Sequence, residues 1–125
     1  MTTNRKRLKV LAFFAHPDDE TMFLGGTLAY LAEQGAQIHF LCATRGEGGE
    51  LGDPPVCARE ELGQVREAEL DCAIQALGGA SLNFAGFRDP LVGPSGELYP
   101  FTDDLKGLVK ILREEVVRID PALVI

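Results

Sequence analysis

Positive charge is scarce in this sequence. Lys and Arg number 12 against 19 Asp and Glu, which gives a net charge of −7 over 125 residues. An acidic surface repels phosphate backbones, so nucleic acid is not an expected partner. The basic cluster Arg5-Lys6-Arg7 sits at a terminus expected to fray. Long apolar runs are missing as well: none approaches the ~20 residues of a membrane span. The run 8–15 is broken by Lys9 and lacks the small-x-small cleavage site of a signal peptide, so it reads as a buried strand. Cysteine is sparse, with Cys42, Cys57 and Cys72 far apart and no C-x-x-C pair. That excludes a disulfide framework and a cysteine zinc site. Cys42 and Cys72 fall in apolar segments and are expected as small core residues, and a reducing cytoplasm is the expected compartment. Internal repeats and linkers are absent. What remains, 46% hydrophobic and 25% charged residues, is the composition of one globular domain.

The pattern alternates strand and helix. Segment 8–15 is almost continuously apolar, as a strand buried on both faces should be. Phe23, Leu24, Leu28 and Leu31 then recur at helical spacing within 22–34, which stops at Gly35. A second apolar run covers 36–43. An acidic, glycine-rich loop runs from 44 to about 56. A helix is predicted over 59–77, with Leu62, Val65, Leu70, Ala73, Ile74 and Leu77 inward and Gly78-Gly79 closing it. A third strand is read at 81–84, followed by a Gly- and Pro-rich loop over 85–100. Thr102 is expected to cap a helix over about 103–118, with Asp103 and Asp104 in its first turn. A fourth apolar stretch, 122–125, follows Pro121. This order implies an α/β fold with a mainly parallel sheet. The sequence ends within an apparent core strand, so it reads as truncated, the first part of a larger domain.

Open parallel sheets bind ligands at the carboxyl ends of their strands. That selects the loops 16–21, 44–52 and 86–90. The first holds Ala15-His16-Pro17-Asp18-Asp19-Glu20. Adjacent carboxylates repel unless a cation or hydrogen bonds stabilise them, and Pro17 stiffens the turn. His16 and Asp19 are three apart, so one turn can bring both to a shared cation, and mixed N and O donors suit Zn²⁺. Asp18 is then free to take a proton from water. A capping turn with a solvated acidic run is the plainer reading. His39, mid-strand and ~13 Å from the loop at about 3.3 Å per residue, is expected to be structural, so a third ligand is missing.

The glycine-rich segment Thr44-Arg45-Gly46-Glu47-Gly48-Gly49-Glu50-Leu51-Gly52 fails the dinucleotide fingerprint, since Leu51 replaces the third glycine, and it lacks a P-loop Gly-Lys-Ser/Thr. It reads either as a ligand approach or as a flexible lid or plain loop. Arg66 and Glu69 have the spacing of an i,i+3 surface ion pair. Arg88-Asp89-Pro90 either points into the crevice or starts a turn.

Taken together, these segments resemble the PIG-L/LmbE-type zinc-dependent N-acetylglucosamine de-N-acetylases. The resemblance rests on Ala15 to Glu20, Gly25-Gly26-Thr27-Leu28, Thr44-Arg45-Gly46-Glu47-Gly48, Arg66-Glu67-Ala68-Glu69-Leu70 and Leu77-Gly78. It covers the whole chain as the N-terminal half (1–125) of one such domain. It implies a Rossmann-like three-layer sandwich and a hydrolase that removes the acetyl group from an N-acetylglucosamine-containing small molecule or glycoconjugate. It further implies that His16 and Asp19 ligate Zn²⁺, that Asp18 is the general base, and that Arg66, Asp89 and Arg88 contact the sugar. The family's third ligand and its oxyanion-stabilising histidine come from a later segment that this chain lacks. Two rival readings are a receiver-like Mg²⁺-binding signalling domain, with Asp89 as phosphoacceptor, and a non-catalytic sugar- or metal-binding fragment.

Overall fold

A computed structural model describes residues 7–125; Arg5 and Lys6 of the basic cluster lie outside the described residues. The first apolar run forms β1 (Lys9–Phe14) and the second β2 (Gln37–Cys42). With β3 (Ser81–Phe84) and β4 (Leu123–Val124) they make a sheet of order β3-β2-β1-β4 in which every pairing is parallel. The register sets Lys9 against Gln37, Phe14 against Cys42, and His39 against Ser81. Side chains of period two then separate onto two faces. On one face Val10, Ala12, Ile38, Phe40 and Cys42 pack with Leu28, Leu70 and Ile74. These come from α1 (Asp19–Glu33) and α2 (Leu62–Ala76). On the other face Leu11 and Leu41 pack with Ile119, Ile111 and Leu112 of α3 (Leu105–Ile119). The result is the expected three-layer α/β sandwich. The two cores are held by burial worth roughly 1.5–3 kcal/mol per large side chain.

Several local expectations are corrected. Helix α1 begins three residues before position 22, because Asp18 turns the chain directly off the strand end. Its inward stripe is Leu24, Leu28 and Leu31, spaced i, i+4, i+7; Phe23 lies off it and is 73% exposed. Cys42 is buried as expected, but Cys72 is exposed. Position 72 lies about 200° around the helix from both Leu70 and Ile74, at 3.6 residues per turn, so the apolar neighbourhood in sequence is not a neighbourhood in space. A single 3-10 turn (Arg59–Glu61) precedes α2, where one longer helix was expected. At α3 the cap is Asp104, whose carboxylate accepts from the Gly107 amide at 2.9 Å. Thr102 acts one step earlier, its hydroxyl accepting from the Asp104 amide at 3.0 Å.

The strand pairing continues past the strand ends. The amides of Ala43 and Thr44 donate to the carbonyls of Phe14 and Ala15 at 2.8 and 3.1 Å, and that of Phe87 to Ala43 at 3.1 Å. The loops after β1, β2 and β3 therefore leave the sheet side by side. No helix of the described residues is long and apolar enough to cross a membrane.

Candidate active site

Where β1 ends, the chain must turn into α1 within four residues, and Asp18 takes the strain. It sits at φ 107°, ψ −28°, in the left-handed region that L residues other than glycine rarely occupy. A neighbour two residues on supports it. Glu20 is 2% exposed, and its Oε2 accepts from the Asp18 amide at 3.0 Å while its Oε1 accepts from the Thr21 hydroxyl at 2.6 Å. Arg66, projecting from α2, completes the support. Its guanidinium donates to the Pro17 carbonyl at 2.5 Å and to Asp18 Oδ2 at 3.1 Å from Nη2, and to the Gly46 carbonyl at 3.1 Å from Nη1. Partial burial raises the Asp18 carboxyl above its ordinary range, and Asp19 and Glu20 add to the rise; Arg66 and His16 pull the other way. A carboxylate tuned upward is the better proton acceptor near neutral pH.

His16 is gripped from both sides. Its backbone amide donates to Asp19 Oδ2 at 2.9 Å, and its Nε2 lies 3.1 Å from Asp89 Oδ1. An ionised carboxylate only accepts, so Nε2 carries a proton toward Asp89, and a metal at Nδ1 requires the tautomer with Nδ1 unprotonated. Nδ1 faces Asp19 Oδ2 at 3.4 Å. A proton on Nδ1 or a metal ion between the two atoms satisfies this contact. A tetrahedral ion at about 2.0–2.1 Å from each donor separates them by roughly 3.4 Å. The His16–Asp19 pair thus fits two positions of a zinc site, with Asp89 as the carboxylate that fixes the imidazole from behind. Among the described residues no group of three His, Cys, Asp or Glu closes around one point, so a third protein ligand is not present.

The glycine-rich segment is fastened by the protein. A Cβ at Gly46 (φ 66°) would lie 2.0 Å from Arg66 Nη1, and one at Gly48 would lie 1.9 Å from the Pro90 carbonyl oxygen. The close approach these positions permit is to protein, which corrects the reading of a flexible lid. Glu47 receives the amides of Arg45 and Asp89 at 3.2 and 3.1 Å, and Gly48 donates to Asp89 Oδ2 at 3.2 Å. Arg59 donates to the carbonyls of Glu47 and Gly49 at 3.2 and 2.5 Å. Buried Thr44 joins the ends of β1 and β2 through its hydroxyl bond to Ala15, at 2.9 Å.

His16, Asp18, Asp19, Asp89 and Arg66 therefore meet at the carboxyl edge of the sheet. Arg88 does not join them; it is exposed and lines neither groove beside Asp18. Arg66 makes no ion pair with Glu69, since its guanidinium reaches across to the strand loops. His39 is structural as expected, on the α3 face with Nδ1 2.8 Å from Ser81 Oγ. Burial and the nearby charges of Arg118 and Lys9 lower its pKa. Glu20, Glu47, Thr44 and Arg59 carry the scaffold of the site, and sequence reasoning gave them no role. Glu20 was detectable as the third of three consecutive acids, a density that water-exposed repulsion alone would not favour.

Comparison with known proteins gives consistent results. The profile of the family described as PIG-L: GlcNAc-PI de-N-acetylase matches residues 11–125. A probable N-acetyl-alpha-D-glucosaminyl L-malate deacetylase 2 of Bacillus anthracis is 34% identical over 119 residues, covering 93% of this chain and 48% of that protein. Among solved structures, the N,N'-diacetylchitobiose deacetylase of Pyrococcus horikoshii aligns with TM-score 0.66 and 31% identity, over 88% of this chain and 38% of its own. The 4-carboxy-2-hydroxymuconate hydratase GalB of Pseudomonas putida KT2440 aligns with TM-score 0.71 and 28% identity, over 94% and 45%. The scaffold therefore also carries a hydratase, and the chain spans about half the length of these relatives.

Proposed function

The chain belongs to the PIG-L family of GlcNAc-PI de-N-acetylases, and from that premise we propose that it forms the N-terminal half (1–125) of a domain hydrolysing the acetamide of an N-acetylglucosamine-containing small molecule or glycoconjugate. The products are acetate and the free amine. One observation carries this reading: His16 Nδ1 and Asp19 Oδ2 face each other at 3.4 Å with the far side of the ring held by Asp89. His16 and Asp19 would hold Zn²⁺, which when bound supplies a Lewis acid for the amide carbonyl and lowers the pKa of a nearby water. Asp18 sits one residue from the ligand Asp19 with its carboxylate raised by partial burial, and accepts the proton of the attacking water. Arg66 holds that carboxylate. Of its five N–H donors three are engaged, which leaves two for sugar hydroxyls. Asp89 turns one oxygen to His16 and the other to Gly48, and its remaining lone pairs face the groove where the sugar would lie. Arg88 stays a contact for a larger substrate at the rim. Cys42, Cys57 and Cys72 are all unpaired, which supports a cytoplasmic setting.

The receiver-like alternative is disfavoured. Asp89, its candidate phosphoacceptor, is only 14% exposed and has both oxygens bonded. The test uses a chain extended to the length of the relatives. Asp18→Asn should keep zinc and lose about 10²–10⁴ in turnover of an N-acetylglucosaminide. Asp19→Asn should lose zinc, measured by elemental analysis. If both variants retain zinc and full turnover, the reading fails.

A further inference from the structure

We infer that the groove beside the His16–Asp19 pair carries a binding wall for an apolar group on the substrate, so that the preferred ligand is an N-acetylglucosaminide bearing an alkyl, acyl or aryl substituent. This rests on the de-N-acetylase reading and adds the nature of what is attached to the sugar. Singly exposed apolar residues are ordinary on protein surfaces, but a contiguous cluster beside polar groups marks a binding site. Here Leu91, Val92, Leu98 and Tyr99 are exposed by 58, 54, 83 and 54%. All four line one groove of about 400 Å³ together with His16 and Asp89. That volume lies within the range of small-molecule sites, ~300–1,000 Å³.

The wall is built, with its ends and its tip fixed. Phe87 and Phe101 close the base of the loop, their ring centroids 5.4 Å apart. At the tip the Gly93 amide donates to the Glu97 carbonyl at 2.8 Å and the Gly96 amide to the Gly93 carbonyl at 2.9 Å. The Glu97 carboxylate accepts from the Ser95 amide at 3.0 Å. At the root, Asp89 is tied to His16 and to Gly48. Leu91 is thereby connected, through the single residue Pro90, to the group that orients the candidate ligand. The groove's lining combines polar groups, Asp18, Arg66 and Asp89, with the four apolar residues. A ligand that satisfies both kinds of lining is a sugar with an apolar substituent. The wall residues themselves, Leu91, Val92, Leu98 and Tyr99, carry no charge to pair with a malate-like or phosphate-bearing substituent.

The experiment is calorimetric titration of the zinc-supplemented chain, extended to the length of the relatives and carrying Asp18→Asn to suppress turnover, with methyl, hexyl and phenyl N-acetylglucosaminides and with hexyl glucoside, which lacks the acetamide. Each methylene seated on the wall tightens binding by about fourfold, so hexyl should bind at least ~tenfold more tightly than methyl. In Leu98→Asn, and separately in Leu91→Asn, the hexyl-to-methyl ratio should collapse toward one; both positions are on the surface, so the fold should be retained in at least one. Equal affinity for hexyl and methyl glycosides overturns the wall and leaves the de-N-acetylase reading intact. A ratio that survives both variants also overturns it. Hexyl glucoside binding as tightly as the hexyl N-acetylglucosaminide, with no methyl binding, keeps the wall and sinks the acetamide reading. Concentration-dependent dimerisation that Leu98→Asn abolishes, with no hexyl gain, assigns the patch to a second copy of the chain and overturns the inference.

Discussion

Replacing Glu20 tests whether the active-site turn is held by a buried carboxylate. Glu20→Ala removes the acceptor of the Asp18 amide, a charge-assisted bond worth about 1.5–3 kcal/mol. It also deletes two side-chain carbons from a site walled by Phe14, Cys42 and Leu70, adding roughly 1 kcal/mol. Relief from keeping a carboxylate nearly dry offsets part of this, so the net loss should be about 2–4 kcal/mol. Glu20→Gln keeps the volume and an acceptor for Asp18, but Thr21 must turn its hydroxyl from donor to acceptor. Its cost should stay near 1 kcal/mol. Urea denaturation followed by far-UV circular dichroism reads both. The midpoint should fall by about 1–2 M for Ala and by less than ~1 M for Gln, with the slope unchanged. A third variant probes the strain. Asp18→Gly adopts φ 107° without penalty, so in its background Glu20→Ala should cost at least ~0.5 kcal/mol less. A Glu20→Ala protein within ~0.5 kcal/mol of the parent, or strict additivity with Asp18→Gly, would refute the argument.

Asp89→Asn removes the carboxylate behind His16 and should weaken zinc affinity by about 10–100-fold in competition with a chromophoric chelator; unchanged affinity would mean that His16 orients itself. Burial pushes the Cys42 thiol up to about 12, so alkylating reagents at pH 9 should modify exposed Cys72 and spare Cys42, as read by mass spectrometry of digested protein. Because the folded thiol holds its proton longer than the unfolded one, that group's contribution to stability is full below about pH 9 and declines as pH rises toward 12. Leu28→Ala, at a fully buried position between sheet and helix, should cost about 2–5 kcal/mol in the same urea experiment, and a loss under 1 kcal/mol would contradict the packing described.

The layers were legible because their signals are periodic. Third strand 81–84 coincides with the observed one, and the first two run one residue past each observed end, as apolar runs bounded by turn residues define strands well. Helix starts were less legible. Asp18 begins α1 from a left-handed backbone, a conformation that propensity does not anticipate for aspartate, and α3 starts at Leu105, which makes Asp104 the cap and leaves Thr102 to accept from the Asp104 amide. At the site, sequence spacing brought His16 and Asp19 together, since three residues across one turn is a local relation. Arg66 was found as a residue, but its contacts with Pro17 and Gly46 span 49 and 20 positions and depend on how α2 lies over the sheet. The same holds for Asp89 behind His16, across 73 positions. Contacts of that range are products of the tertiary fold.

The packing of Arg66 against Gly46 and Gly49 also bears on how this sequence can drift. A methyl group at position 46 would overlap Nη1 at 2.0 Å, and one at 49 would stand 2.8 Å from the same atom. A side chain at either glycine therefore pushes the guanidinium off the Pro17 and Gly46 carbonyls, and at Gly46 the positive φ adds strain. Shortening the arginine first strips the carbonyls of Pro17 and Gly46 of their donor and frees the Asp18 carboxylate. Either order passes through a damaged intermediate. Three positions scattered over 46–66 thus behave as a single heritable unit, and variant libraries that randomise them one at a time should recover the parental residue at each.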